Sequence, residues 1–476
     1  MLTFFKKFFK LIMSRGFIIS FLLLLQLSFF FFIAWELGRR GIYIYALFAV
    51  LSVVFAVSIL NRSMNPAYKI SWLLVVLVIP FAGPIFYLMF GKRYFSKKRI
   101  KKLQKLHQDT VHQLKRNYRE IDIENPDVAK TSHYITRVTG LPGWENTTSD
   151  FLTPGETFFE VFLEELKKAK KFIFLEYFIL QDGYMWQSIL EVLEQKVQDG
   201  VDVRLLYDDF ANVNRVGVFF KKDLIKKGLK VINFNPYRPR LSMVINYRDH
   251  RKITVIDGNV GFVGGINLAD EYINRTHKFG YWKDASIILR GAAVWNLTFL
   301  FLEMWQSSSD EVFDYDLYYP TETYPTDGFV QPFGDGPHDA HQSIEMVYMQ
   351  IINNAKRYVY ITTPYLIIDH EIATALKLAA LSGVDVRIMM PHIPDKKLIY
   401  MVSKSYYPEL LKAGVKIYEY LPGFLHSKMI VSDDEVAMIG TANLDYRSFY
   451  LHFEVSCYLY RTSSIMQMRE DAIKCL

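Results

Sequence analysis

A chain of 476 residues, 51% hydrophobic and 16% aromatic, is long enough for two or three domains and more apolar than most soluble proteins. Its net charge of +7 joins two unlike parts: residues 1–116 carry +16, with only Glu36 and Asp109 as acids, and residues 117–476 carry −9. A basic, apolar front and an acidic body point to an anionic membrane and away from nucleic-acid binding by the body. The two cysteines, Cys457 and Cys475, lack the spacing of a disulfide framework or a metal site.

Along the chain, residues 1–91 read as a membrane anchor. Gly16–Trp35 is 20 residues with one Gln and two Ser as its polar groups, long enough to span and too long for a signal-peptide core. Ile42–Leu60 is a second apolar run, joined to the first by a short link that holds Glu36, Arg39 and Arg40. A third run, Trp72–Phe90, contains Pro80, Gly83 and Pro84. Prolines strip backbone donors and bend helices, so this segment is expected to be a kinked span or a re-entrant hairpin. Basic clusters flank the anchor: Lys6, Lys7, Lys10 and Arg15 before it, and eight Lys or Arg from Lys92 to Lys105 after it. Two spans plus a re-entrant segment place both clusters inside, in keeping with the charge bias of cytoplasmic loops. That favours a multi-pass anchor in the cell membrane with a cytoplasmic body.

Residues 92–150 read as a basic helix and a polar lead-in. The helix is either a solvated connector or a surface lying on anionic headgroups, worth about 1 kcal/mol per basic residue there. The body then repeats itself. Ala169-Lys170-Lys171-Phe172-Ile173-Phe174 parallels Ala355-Lys356-Arg357-Tyr358-Val359-Tyr360, and Gly200-Val201-Asp202-Val203-Arg204 parallels Gly383-Val384-Asp385-Val386-Arg387. Lys227-Gly228-Leu229-Lys230-Val231 parallels Ala413-Gly414-Val415-Lys416-Ile417. Helix and strand alternate in each copy, so the expected fold is α/β: two similar halves, 151–306 and 341–476, with mixed β-sheets flanked by helices. Residues 307–340 form an acidic connector between them.

Each half ends in one motif. His250, Lys252, Asp257, Gly264, Gly265 and Asn267 recur as His426, Lys428, Asp433, Gly440, Thr441 and Asn443 at the same offsets. The β-branched run after each lysine and the turn at each aspartate predict a hairpin. On a strand, residues two apart share a face, so each His and Lys point the same way, about 6 to 7 Å apart. One copy does little alone. Two copies facing each other surround one point with two imidazoles and two ammoniums, which suits a phosphodiester. Lysines neutralise its oxygens, one neutral imidazole attacks phosphorus, and the other, protonated, hands a proton to the leaving oxygen. Unperturbed imidazoles titrate near ~6.5, so a pair sharing one proton is reasonable near neutral pH. By spacing alone, Asp257 and Asp433 are equally turn carboxylates or acids that orient an imidazole.

These motifs resemble the phospholipase D superfamily, and the runs Gly264-Gly265-Ile266-Asn267-Leu268-Ala269-Asp270-Glu271-Tyr272 and Asn443-Leu444-Asp445-Tyr446-Arg447-Ser448 resemble its bacterial cardiolipin synthases, whose chains usually continue further at the C-terminus. The resemblance covers nearly the whole chain. It implies two phospholipase D-like halves meeting at a pseudo-twofold interface. It makes His250 the covalent phosphohistidine and His426 the acid and base, with Lys252 and Lys428 on phosphate oxygens and Asn267 and Asn443 beside them. It makes Asp257 and Asp433 orienting acids, with Glu271 and Glu454 as further candidates, and leaves His452 structural. The implied reaction joins two phosphatidylglycerols into cardiolipin with release of glycerol, with no metal or organic cofactor. A hydrolytic phospholipase D is the nearest rival, ahead of a membrane-tethered nuclease and a non-catalytic scaffold. The residues themselves leave open which imidazole attacks, and leave a homo-oligomer open.

Overall fold

The computed structural model describes residues 15–36, 38–62, 64–91, 97–115, 121–236, 246–339 and 341–476. Lys6, Lys7, Lys10, Lys92 and Arg93 lie outside them. The chain divides into two compact units, residues 1–97 with 237–246, and residues 98–236 with 247–476.

In the first unit, helices Arg15–Glu36 and Gly38–Leu60 are followed by a broken third apolar segment. Among the described residues, Gly41–Leu60 is the helix long and apolar enough to cross a membrane. The third segment consists of helix Pro66–Val78, a break, and a short helix from Ala82 that ends in a wider turn at Tyr87–Gly91. It folds back on itself. Trp72 and Tyr87 have ring centroids 5.4 Å apart, whereas 15 residues of straight helix would separate them by about 22 Å. At the reversal a Cβ on Gly83 would meet the Val75 carbonyl oxygen at 2.3 Å, so a side chain there would block the return. The backbone freed at the break is satisfied from the other helices: Ser52 Oγ donates to the Pro80 carbonyl at 2.9 Å, and the Ala82 N–H donates to Gln26 Oε1 at 3.2 Å. Irregular backbone shielded from water needs such partners.

The second unit is a repeat. Its first sheet contains β1 (Thr147–Leu152), β2 (Phe172–Tyr177), β3 (Asp202–Asp208) and β4 (Lys230–Phe234). A short β5 (Arg248–Asp249) precedes β6 (Lys252–Ile256) and β7 (Val260–Gly264), and β8 (Tyr281–Lys283) precedes β9 (Ser286–Gly291). The second half runs β10 (Phe329–Asp335), β11 (Tyr358–Thr362), β12 (Leu366–Ile367), β13 (Asp385–Pro391), β14 (Lys416–Tyr420) and β15 (Gly423–Leu425). It closes with β16 (Met429–Ser432), β17 (Val436–Gly440), β18 (Leu444–Asp445) and β19 (His452–Tyr460).

The order β1-β9-β7-β6-β2-β3-β4 of one sheet is matched by β10-β19-β17-β16-β11-β13-β14 in the other. Both sheets are mixed: β2, β3 and β4 pair in parallel and β6 runs against β2, just as β11, β13 and β14 are parallel and β16 runs against β11. The edge strands β1 and β10 lie upstream of the repeat legible in the sequence: β1 straddles the end of the expected lead-in, and β10 lies within the expected connector. The strands of each motif hairpin are almost wholly buried, because sheet neighbours and helices such as Val294–Ser308 cover them. Such strands read as apolar runs.

Candidate active site

Each motif begins where its hairpin enters the sheet, and the other half holds it there. β5 pairs with the start of β19, and β8 pairs with β15. Two further backbone bonds tie the imidazole residues across: His250 N–H donates to the Phe453 carbonyl at 2.9 Å, and His426 N–H to the Lys283 carbonyl at 2.7 Å.

The side chains repeat that exchange. His250 Nδ1 lies 2.9 and 3.0 Å from the carboxylate oxygens of Glu454, and His426 Nδ1 lies 2.5 Å from Asp284 Oδ2. Glu454 belongs to the second half and Asp284 to the first. The two acids occupy equivalent places. Gly264 is in register with Ser286 and Gly440 with Ser456, and each acid stands two residues before its serine. Each half therefore supplies one imidazole and the carboxylate that holds the other. Both rings are buried, at 7% and 8% exposure. An imidazole whose Nδ1–H donates to a carboxylate presents the lone pair of Nε2.

The charges follow from this burial. His250 is pushed down to about 3 by burial, which with Lys252 and His452 outweighs the attraction of Glu454. His426 is pushed down to about 4 by burial and Lys428 against the pull of Asp284. Burial opposes ionisation of Glu454 and Asp284, yet their imidazole partners hold both below the usual carboxylate range. Lys252 is lowered to about 7, by burial and then, against the pull of Glu454, by Lys428. Burial lowers Lys428 to about 8 against the attraction of Asp284 and Glu454. Each lysine thus feels the carboxylates of both halves, so the two motifs share one locus. Lys252 Nζ donates to its own His250 carbonyl at 2.6 Å, and Lys428 does the same to His426.

Four of the residues expected at the site stand elsewhere or are already committed. Asp257 does not orient an imidazole. Its carboxylate accepts the backbone N–H groups of Lys170, Lys171 and Phe172 at 2.8, 2.7 and 2.9 Å. Asp433 does the same for Lys356, Arg357 and Tyr358 at 2.7, 2.8 and 2.9 Å. Both sit at the far end of the motif strand, in the left-handed turn. Glu271 pairs with Arg215 at 3.4 Å rather than with an imidazole. The amide of Asn267 is occupied: Oδ1 accepts Ile179 N–H at 2.9 Å, and Nδ2 donates to Tyr272 Oη at 2.6 Å. Among the described residues, no hydrogen-bond donor reaches the buried Oδ1 of Asn443.

Two residues join the site without having been expected there. Asp284 was findable as the repeat partner of Glu454, through Asp284-Ala285-Ser286 and Glu454-Val455-Ser456. His452, expected to be structural, has its ring centroid 5.3 Å from that of His250 and its Nδ1 3.5 Å from Glu454 Oε1.

This paired geometry has relatives. A family model described as "Cardiolipin synthase, PLD-like domain" matches residues 162–286 and 348–475, one match in each half. The chain belongs to the cardiolipin synthase family. A second model, described as a phospholipase D-nuclease N-terminal region, matches residues 50–92. A protein named cardiolipin synthase from Geobacillus thermodenitrificans is 42% identical, over 90% of this chain and 86% of its own. Another of that name from Halalkalibacterium halodurans is 37% identical over 98% and 91%. The solved phosphatidylserine synthase of Haemophilus influenzae shares the fold, with a TM-score of 0.54 at 15% identity over 72% of this chain and 90% of that one.

Proposed function

We propose that the protein is a membrane-bound phosphatidyltransferase that makes cardiolipin from two phosphatidylglycerols. The observation that carries the chemistry is the reciprocal hold of His250 by Glu454 and His426 by Asp284, with Lys252 and Lys428 between them.

The lysines, relieved of their carbonyl contacts, receive the phosphate oxygens of the donor. Charge aimed at the reacting phosphate is the largest expected contribution. His250 is neutral and donates from Nδ1, so Nε2 attacks phosphorus. The bond to glycerol breaks, and His426, as the imidazolium, gives its Nε2 proton to the departing oxygen. An anionic phosphate beside His426 favours that charged form and offsets the burial that lowers it in the free enzyme. A hydroxyl of the second phosphatidylglycerol then gives its proton to His426 and attacks phosphorus, and His250 leaves. Asn443 Oδ1 is free to accept a hydroxyl.

The membrane reading is two spans and a re-entrant hairpin, 66–91, with the catalytic unit in the cytoplasm. Support comes from the fold-back at Gly83 and from the basic stretches on either side of the anchor. A cysteine placed at Asp122 is then protected from impermeant thiol reagents in intact cells, and labelling from outside would overturn the orientation.

The decisive experiment is lipid mass analysis after expression in a host lacking cardiolipin. Accumulation of cardiolipin supports transfer between two phosphatidylglycerols. Phosphatidic acid instead makes water the acceptor, and no change in lipids removes the proposal.

A further inference from the structure

Most large apolar side chains of the catalytic unit are buried, but the exposed ones include a pattern that a soluble surface does not call for. Helix Lys397–Ser405 turns Ser403 inward, where its hydroxyl accepts Leu366 N–H at 3.1 Å. Leu398, Met401 and Val402, at i, i+3 and i+4, face outward and are 77%, 67% and 45% exposed. That is an amphipathic helix with its apolar stripe on the outside, flanked by Lys396, Lys397 and Lys404.

The first half carries a counterpart at the same point of its repeat, after β3 as this helix follows β13. The turn there exposes Val218 at 97% and Phe219 at 62%, beside Lys221 and Lys222. Both segments stand close to the site. In the first half, Asn212 Nδ2 donates to the Phe178 carbonyl at 2.8 Å, and the Phe178 ring packs on His250 at 4.8 Å. In the second, Lys396 and Asp395 bond the Tyr365 hydroxyl at 2.8 and 2.6 Å. Tyr365 packs on Phe424 at 6.5 Å, and Phe424 on His426 at 5.7 Å.

We propose that these two rims, Val218–Phe219 and the Leu398–Met401–Val402 stripe, dip into an anionic phospholipid bilayer on either side of the imidazole pair. The proposal deepens the function proposed above, whose substrates are anionic lipids, and rests on that reading. The body as a whole is acidic, so attraction to such a surface has to be local: Lys396 pairs with Asp395 and Lys404 with Glu419, which leaves Lys397 beside one stripe and Lys221 and Lys222 beside the other without a carboxylate partner among the described residues. Apolar residues rimmed by lysines are the pattern of a segment that lies in a membrane interface. Seated this way, the enzyme draws a headgroup into the site while the acyl chains stay in the bilayer.

The test uses the full-length chain in vesicles of phosphatidylglycerol and phosphatidylcholine. Single cysteines, Phe219→Cys, Leu398→Cys and Leu381→Cys, carry an environment-sensitive fluorophore; the native Cys457 and Cys475 are buried. Leu381 is 73% exposed at the opposite end of the sheet and serves as control. Probes at Phe219 and Leu398 are expected to shift to the blue and to be quenched by lipids brominated along the chain, while the probe at Leu381 is not. Emission at Phe219 and Leu398 matching that at Leu381 overturns the proposal. Leu398→Asp with Met401→Asp is expected to lower the ratio of transfer from vesicle lipid to transfer from a short-chain, water-soluble donor about tenfold. An unchanged ratio counts against the proposal. Buried probes on a chain that transfers no phosphatidyl group would leave the surface standing and remove the function instead.

Discussion

Behind His426 stands Asp284, packed over Gly265, where a Cβ would come within 2.1 Å of Oδ1. Behind His250 stands Glu454, and the residue equivalent to Gly265 is Thr441, whose hydroxyl donates to Oε2 at 2.5 Å. Two residues upstream the halves differ again. Trp282 packs against His426 at 5.1 Å, and His452 packs against His250 at 5.3 Å. The duplication therefore keeps the backbone exchange and varies the side chains around it. His426 has a short acid and an indole. His250 has a longer acid that also serves a hydroxyl and lies beside a second imidazole. Two sites alike in sequence motif are thus unlike in environment, which is what separate roles for nucleophile and acid require.

The largest expected effect tests that division. His250→Asn and His426→Asn each lower transfer by about 10³-fold or more. Rapid quenching with a phosphorus-labelled donor separates them: label accumulates on the protein in His426→Asn and is absent from His250→Asn. Label retained in His250→Asn reverses the roles. The carboxylates come next. Glu454→Gln disturbs His250, His452 and Thr441 together and is expected to cost about 10³-fold, against about 10²-fold for Asp284→Asn. Equal losses would mean that the asymmetry carries no chemical weight.

The lysines bind the comparison together, since each feels both halves. In the free enzyme they are charged below about 7 for Lys252 and about 8 for Lys428. As pH rises through that window they discharge and the hold on phosphate weakens, so the fall of kcat/KM steepens above pH 7, by about a further tenfold per unit for each lysine lost. His250, needed neutral and pushed down to about 3, adds no acid limb in the ordinary range, whereas His426, needed as the imidazolium and pushed down to about 4, makes kcat/KM fall with rising pH already below that window. A kcat/KM that climbs between pH 7 and 9 contradicts this assignment. His452→Trp copies the packing of the other half. It is expected to cost about tenfold, in kcat rather than KM, because His452 reaches the chemistry only through Glu454 and His250. A change confined to KM would place His452 on the substrate.

Much of this was legible beforehand because a duplication repeats its own signals. The paired motifs, the α/β alternation and the hairpins all rest on local patterns of Val, Ile, Gly and Asp that recur at fixed offsets. Lys252 and Lys428 each feel Glu454 and Asp284, the carboxylates that hold the two imidazoles. The crossing of the carboxylates was not legible. Asp284 and Glu454 lie downstream of their own motifs, and only the pairing of β5 with β19 and β8 with β15 brings each to the other half's imidazole. The fold-back at Gly83 was half legible: its prolines announce a break, but direction comes from Trp72 meeting Tyr87.

The aspartate of each motif, which spacing leaves open between turn carboxylate and orienting acid and which the family resemblance makes an orienting acid, holds a turn, and it gives the smallest expected effect on activity. Asp257 and Asp433 stand at φ of 54° and 58°, a conformation Asp tolerates better than most residues. Each carboxylate gathers three backbone N–H groups at the start of β2 or β11 and so fixes the turn to the neighbouring strand. Asp257→Ala frees those donors and puts a methyl group in a left-handed turn, at an expected cost of about 2 to 4 kcal/mol. Asp257→Asn keeps an acceptor oxygen and the tolerance for that turn, so it costs less. In both variants kcat per folded molecule stays within about twofold, since the imidazoles lie at the opposite end of the strand. Melting curves alongside active-site titration separate the two quantities. An Asp257→Ala protein that melts normally yet loses activity like His250→Asn would return this carboxylate to the chemistry.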